Sequence, residues 1–276
     1  MLSKSYSQAI QTKGDFLWGI IAGLFIIFGG LVSPTNAQAE VLFEDHFNNE
    51  SSLNNYTIKH GLAWIENQRL YTQGNSWPRG SLALVNGDPQ WTNFKMSVKV
   101  QPIAGWHDIE ITFRTTDYDF DPSGFGWIGK GYLLYLAKDG GGGPAEMHGE
   151  QARFDYAVLI RIDCSTGCNG EVLSEARFTP LDTPVDVNVV VNEGRIQVFL
   201  NGTQHIDSTD PNPLPAGGIG LGALWETLAT FDDLVVQDID KSFDVCKNGG
   251  WRALSRADSS PFKNQGDCIQ YYNTGK

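Results

Sequence analysis

The chain has 276 residues, of which 41% are hydrophobic and 19% charged, a globular balance with enough apolar side chain for a sizeable core. Its formal net charge of −12 repels phosphate backbones and argues against nucleic acid as a partner. Thirty-one glycines suit a fold with many tight turns, and eight tryptophans can be core in such a fold but are also the usual sugar-stacking residues.

The N-terminus reads as an export segment. Lys4 and Lys13 precede an apolar run from Phe16 to Val32, and Ala37-Gln38-Ala39 then forms an A-x-A cleavage pattern. Residues 1–39 are therefore expected to be a bacterial signal peptide and the mature chain to be secreted. An uncleaved membrane anchor is the alternative.

Residues 40–240 read as strands and turns. Phe94–Val100 and Ile109–Arg114 alternate apolar and polar residues, the period of a half-buried strand. In the second run Glu110, Thr112 and Arg114 fall on the face opposite the apolar residues. Gly131–Ala137 and Tyr156–Ile162 are apolar enough for central strands. Val185–Val191 and Arg195–Leu200 are separated by a turn at Asn192–Arg195, and Asn201-Gly202 predicts a type I′ hairpin. Gly218–Leu224 and Phe231–Val236 complete the set. About a dozen short strands at even spacing, with no convincing amphipathic helix, predict an all-β, two-sheet antiparallel sandwich. The Gly-rich stretch Lys138–Pro144 lacks the Lys-Ser/Thr of a phosphate loop and reads as a connector. Asp238–Val245 reads as a linker, so residues 241–276 form a linker and a small Cys-bounded module.

All four cysteines lie beyond the signal. An even number in an exported chain predicts two disulfides, and proximity pairs Cys164 with Cys168 and Cys246 with Cys268. Zinc is the alternative, but no histidine stands at ligand spacing. A bond closing the second loop is worth roughly 3 kcal/mol on chain-entropy grounds.

The opening Val41-Leu-Phe-Glu-Asp-His-Phe47, the hairpin Val189–Gly202, Gly217–Gly222 and Phe231-Asp-Asp-Leu-Val-Val236 together resemble, in that order, the concanavalin-A-like lectins and glucanases. The nearest branch is similar to the laminin-G-like, 3-keto-disaccharide hydrolase-type domains. The resemblance implies a jelly roll with one concave face. It also implies a structural Ca²⁺ joining the first and last strands, held by Asp45 and Asp232 with Asp233 in reserve. The tail, Cys246-Lys-Asn-Gly-Gly-Trp251 with Phe262-Lys-Asn-Gln-Gly-Asp-Cys268, resembles a C-terminal motif of secreted bacterial proteins.

Sugar recognition needs flat aromatics for C–H faces and planar polar groups for hydroxyls. Trp106, His107, Glu110, Arg114, Tyr118 and Trp127 lie on or beside one strand and its loop. Trp225 and Glu226 precede the last strand, and Trp77 and Arg79 sit in an earlier turn. These are the expected glycan-binding face, with Trp64 and Trp91 assigned to core or turn packing. Laminarinase-type enzymes carry E-x-D-x-x-E on one strand, and this chain offers only Asp108-Ile-Glu110 followed by Ile-Thr-Phe-Arg114. If the protein is nevertheless an enzyme, Glu110, Glu146 and His148 are the acid/base candidates. Three readings follow: a non-catalytic carbohydrate-binding module for an oligo- or polysaccharide, a glycan-processing hydrolase, or an adhesion or matrix domain that binds protein.

Overall fold

The computed structural model describes residues 40–74, 80–87, 89–105, 108–121, 126–137, 155–168, 170–178, 183–239, 246–253, 256 and 260–274. Among them are fifteen strands in two antiparallel sheets.

The eight-stranded sheet runs β13 (Thr203–Thr209), β12 (Arg195–Leu200), β11 (Val185–Asn192), β6 (Phe94–Ala104), β15 (Leu228–Asp238), β4 (Arg69–Gln73), β3 (Leu62–Glu66). β1 (Val41–Asp45) joins it on β15. β4 pairs with Leu228–Phe231 and β1 with Leu234–Gln237, so the two share one edge of β15. A bulge between Asp232 and Val235, with Asp233 at φ 51°, separates the two pairings. The seven-stranded sheet runs β10 (Glu171–Phe178), β9 (Asp155–Cys168), β8 (Trp127–Ala137), β7 (Asp108–Phe120), β14 (Gly218–Ala223), β5 (Ser81–Val85), β2 (Tyr56–His60).

Alternation builds the core between the sheets. Met96, Val98 and Val100 of β6 and Val187, Val189 and Val191 of β11 meet Ile109, Ile111 and Phe113 of β7, all essentially without solvent contact. A second cluster covers the other face of the seven-stranded sheet and includes Leu82, Tyr118, Trp127, Leu133, Tyr135, Val158 and Ile160.

The Asn201-Gly202 turn is the expected I′ hairpin, with both residues at positive φ and Leu200 opposite Thr203. The β3–β4 hairpin uses the same backbone at Asn67 and Gln68, φ 50° and 58°, without a glycine. Both expected disulfides are formed, Cys164–Cys168 within β9 and Cys246–Cys268 in the tail.

The tail contains an α-helix, α1 (Gln265–Thr274), which the weakly amphipathic sequence does not announce. Asn264 caps it by accepting the Asp267 amide at 2.9 Å. Cys246, Phe262 and Cys268 form its small core. Arg256 donates to Asp267 at 2.6 Å and lies over the rings of Phe262 and Tyr271.

Candidate functional site

β7 runs through the middle of the seven-stranded sheet. Glu110 and Thr112 leave it on the side opposite Ile109 and Ile111, as alternation requires. Two register shifts follow, with Arg114 and Asp117 at φ 49° and 50°. Each bulge turns the following side chain, so residues beyond Phe113 no longer obey the parity read from the sequence. The carbonyl of Asp117 packs where a Cβ on Gly129 would come within 2.2 Å, which is why β8 carries glycine there.

The bulges swing Tyr118 back toward Glu110. Its hydroxyl donates to Glu110 Oε1 at 2.8 Å, and Glu110 Oε2 has no partner. Glu110 has no solvent contact. Burial pushes its carboxyl up to about 8, and the charge of Asp119 adds to this while the Tyr118 hydrogen bond opposes it. The carboxyl is therefore protonated at neutral pH.

Among the described residues, the other expected site residues do not converge on this pair. Trp127 lies opposite Phe120, whereas Glu110 lies opposite Tyr135, eight residues further along β8 and roughly 26 Å away at the usual strand rise. Trp127 is 8% exposed, packs in the second cluster with Cys164 and Cys168, and leaves its indole Nε1 without a partner. Half-buried Trp225 stands at the opposite end of β7, where the neighbouring Leu224 amide donates to the Asp108 carbonyl. Arg114 is buried. Its Nε donates to Thr92 O at 2.9 Å and its Nη1 to Leu214 O at 2.9 Å, so its guanidinium ties two loops together. Trp77, Arg79, Trp106, His107, Glu146 and His148 lie outside the described residues.

The open part of this face is a cleft of about 260 Å³ bordered by β2, β5, β7 and β14. Half-buried Leu84 and Pro89 form its apolar wall, with buried Val85 and Tyr118 behind them. Thr57, Lys59, Asn86 and Asp117 bring polar groups to it, and all four are exposed. Asn86 is held in place: its amide nitrogen donates to Asn54 O at 2.8 Å, and the Thr57 hydroxyl donates to its Oδ1 at 2.5 Å. Gly218 keeps β14 low at the floor. A Cβ there would press on Thr115 Oγ1 at 3.3 Å and Pro89 Cδ at 3.4 Å. Of these residues only Tyr118 was expected. The Asn86-Gly87 dipeptide is a turn signal that marks the cleft rim, but nothing in the sequence shows that Lys59 and Asp117 meet across it.

The carboxylates expected to hold calcium do not fit that ion. Ca²⁺ needs six to eight oxygen acceptors turned toward one point. Asp45 Oδ1 already accepts the Phe47 amide at 2.8 Å and the Ser52 hydroxyl at 2.9 Å, and its Oδ2 accepts Asn55 Nδ2 at 3.0 Å. It is a local cap for the turn that follows β1. Asp232 accepts the Asp233 amide, and Asp233 pairs with His46 at 2.9 Å and Lys99 at 3.3 Å. Among the described residues no group of three or more His, Cys, Asp or Glu is placed to hold a metal.

No protein-family model matches the chain, and no curated protein matches it in sequence. Solved structures do match. A protein of unknown function with a galectin-like fold from Bacillus subtilis superposes with a TM-score of 0.55 at 14% identity, over 73% of this chain and 97% of that one. The carbohydrate binding module CBM66 from B. subtilis gives 0.50 at 14% identity, over 67% and 96%. A legume lectin-like domain from Entamoeba histolytica gives 0.51 at 13% identity, over 71% and 96%. At these identities the likeness is one of fold: with the two-sheet topology, the chain has the antiparallel jelly-roll fold of these proteins.

Proposed function

We propose that the protein is an exported carbohydrate-binding jelly roll that takes a neutral glycan in the cleft between β2, β5, β7 and β14, without cutting it. The observation that carries this reading is the pairing, in one cleft, of an apolar wall with convergent polar groups. Leu84 and Pro89 suit the C–H face of a pyranose, and Lys59, Asp117 and Asn86 suit its hydroxyls. The volume of about 260 Å³ lies just below the range of about 300–1,000 Å³ for drug-sized ligands, which fits one or two sugar rings. Lys59 and Asp117 balance each other in charge, which favours an uncharged ligand.

The reading gains support from the sugar-binding descriptions of same-fold proteins, a carbohydrate binding module and a legume lectin-like domain. Export is supported by the two disulfides, which persist outside the reducing cytosol. The test is a glycan array followed by product analysis on every hit. Binding with the sugar intact is expected. Released product would replace the binding reading with a hydrolase, and silence across neutral glycans would remove the cleft as a sugar site.

A further inference from the structure

The opposite sheet carries a second surface that the cleft does not involve. In the β3–β4 hairpin Ala63, Ile65 and Leu70 turn toward the core, so Leu62, Trp64 and Glu66, with Tyr71 across from them, turn outward. Trp64, assigned from the sequence to core or turn packing, thus lies on the outer face of the hairpin. It pairs with Tyr71, and their rings stack at 5.3 Å between centroids and 18° between planes. Both rings remain partly exposed. The same row continues over Thr230 to Gln101 of β6. The row on one side holds Leu62, Gln73 and Leu228. The row on the other side contains alternating charges, with Glu66 opposite Arg69, and Lys99 opposite both Asp232 and Asp186. A groove of about 200 Å³ opens on this face where Lys99, Asp186 and Asn188 meet.

An outward edge hairpin is ordinarily blunted with charge, because an exposed apolar edge invites aggregation. Here the edge strand instead exposes Leu62 at 54% beside a Trp–Tyr stack. A cross-strand aromatic pair contributes to hairpin stability, but that role requires neither the exposed leucine nor the amides that flank the rings. The exposed apolar area is broken by polar rows, unlike a protein-docking patch. The charges alternate in sign, three acids (Glu66, Asp232, Asp186) against two bases (Arg69, Lys99), so the face carries little net charge to favour an ionic ligand. From this juxtaposition we infer that the outer face of the eight-stranded sheet, centred on Trp64 and Tyr71, is a second carbohydrate-binding surface for a neutral polysaccharide chain. The rings take its C–H faces, and Gln73 and Gln101 take its hydroxyls.

The experiment is retention of the protein on microcrystalline cellulose, insoluble β-1,3-glucan and chitin, in parallel with soluble-oligosaccharide binding. Retention on at least one solid is expected, with apparent affinity falling about tenfold in Trp64→Ala, the scale of one lost aromatic contact. Gln101→Ala leaves the ring pair in place and should weaken retention several-fold even if Trp64→Ala disturbs the hairpin. Asp117→Asn changes only the cleft: lost soluble binding with retention intact separates the two surfaces. Absence of retention on all three solids, or wild-type retention by both Trp64→Ala and Gln101→Ala, overturns the inference. A concentration-dependent dimer abolished by Trp64→Ala overturns it as well, by assigning the face to a second copy of the chain.

Discussion

Replacing Glu110 by glutamine should change how stability depends on pH. In the folded chain burial holds this carboxyl at about 8, against an ordinary value of 4.5. The folded state therefore keeps a proton that the unfolded state releases above pH 4.5. Its contribution is complete below pH 4.5 and declines as pH climbs to about 8, beyond which both states are ionised. At about 1.4 kcal/mol for each pH unit, the loss is about 3 kcal/mol by pH 7 and about 5 kcal/mol at its limit. Glu110→Gln retains an acceptor for the Tyr118 hydroxyl and cannot ionise. Its amide nitrogen faces the place where Oε2 has no partner, a fixed cost of about 1–3 kcal/mol. The absolute stability of the variant is thus offset, but the offset does not vary with pH. Urea denaturation at pH 5, 6, 7 and 8 reads the difference between the two proteins. That difference should move in favour of the glutamine variant by roughly 1.4 kcal/mol per unit through the middle of this range. Parallel curves would refute a buried, protonated Glu110.

Asp210 is 4% exposed and accepts from the Tyr132 hydroxyl at 2.8 Å and Arg161 Nε at 3.0 Å. Asp210→Ala should cost about 3 kcal/mol by urea denaturation, because it strands both donors. A loss under about 1 kcal/mol would show that the network is not structural. Dialysis against EDTA should leave the melting temperature unchanged, since Asp45 is occupied by protein donors and no group of three or more His, Cys, Asp or Glu among the described residues is placed to hold a metal. A fall of several degrees on chelation would reinstate a structural ion. Changing Cys246 and Cys268 to serine should remove about 3 kcal/mol from the tail. Hydrogen exchange should then quicken in α1 while β6 and β11 remain protected, and unchanged exchange in α1 would show that the helix stands without the bond.

The sequence discloses those parts of the fold in which a simple period operates without interruption. β6, β11 and β12 alternate cleanly, and Asn201-Gly202 can hardly be anything but a tight hairpin. The β3–β4 hairpin is hidden because its turn residues, Asn67 and Gln68, take positive φ without glycine, and because five-residue strands are too short to display a period. That concealment is why Trp64 reads as core or turn packing. Parity fails on β7 for a different reason. It places Glu110 and Thr112 correctly and misleads at Arg114, where a bulge redirects the side chain to two loop carbonyls. The cleft depends on residues from four strands, and only the sheet order brings Lys59 and Asp117 to one place. Asp45 is part of a short motif, but its role as a local cap is decided by Ser52 and Asn55, which a ligand-based reading passes over.

Glycan binding in the cleft is tested most directly by calorimetric titration of the protein, and of Lys59→Met and Asp117→Asn, with the neutral oligosaccharides that bind on the array. Asparagine tolerates the positive φ at position 117, so that variant removes charge without straining the bulge. The wild type should bind saturably and each variant should lose about tenfold, the scale of a charge-assisted hydrogen bond to a hydroxyl. Binding of equal strength in all three proteins would contradict binding in the cleft, since the sugar would then sit elsewhere.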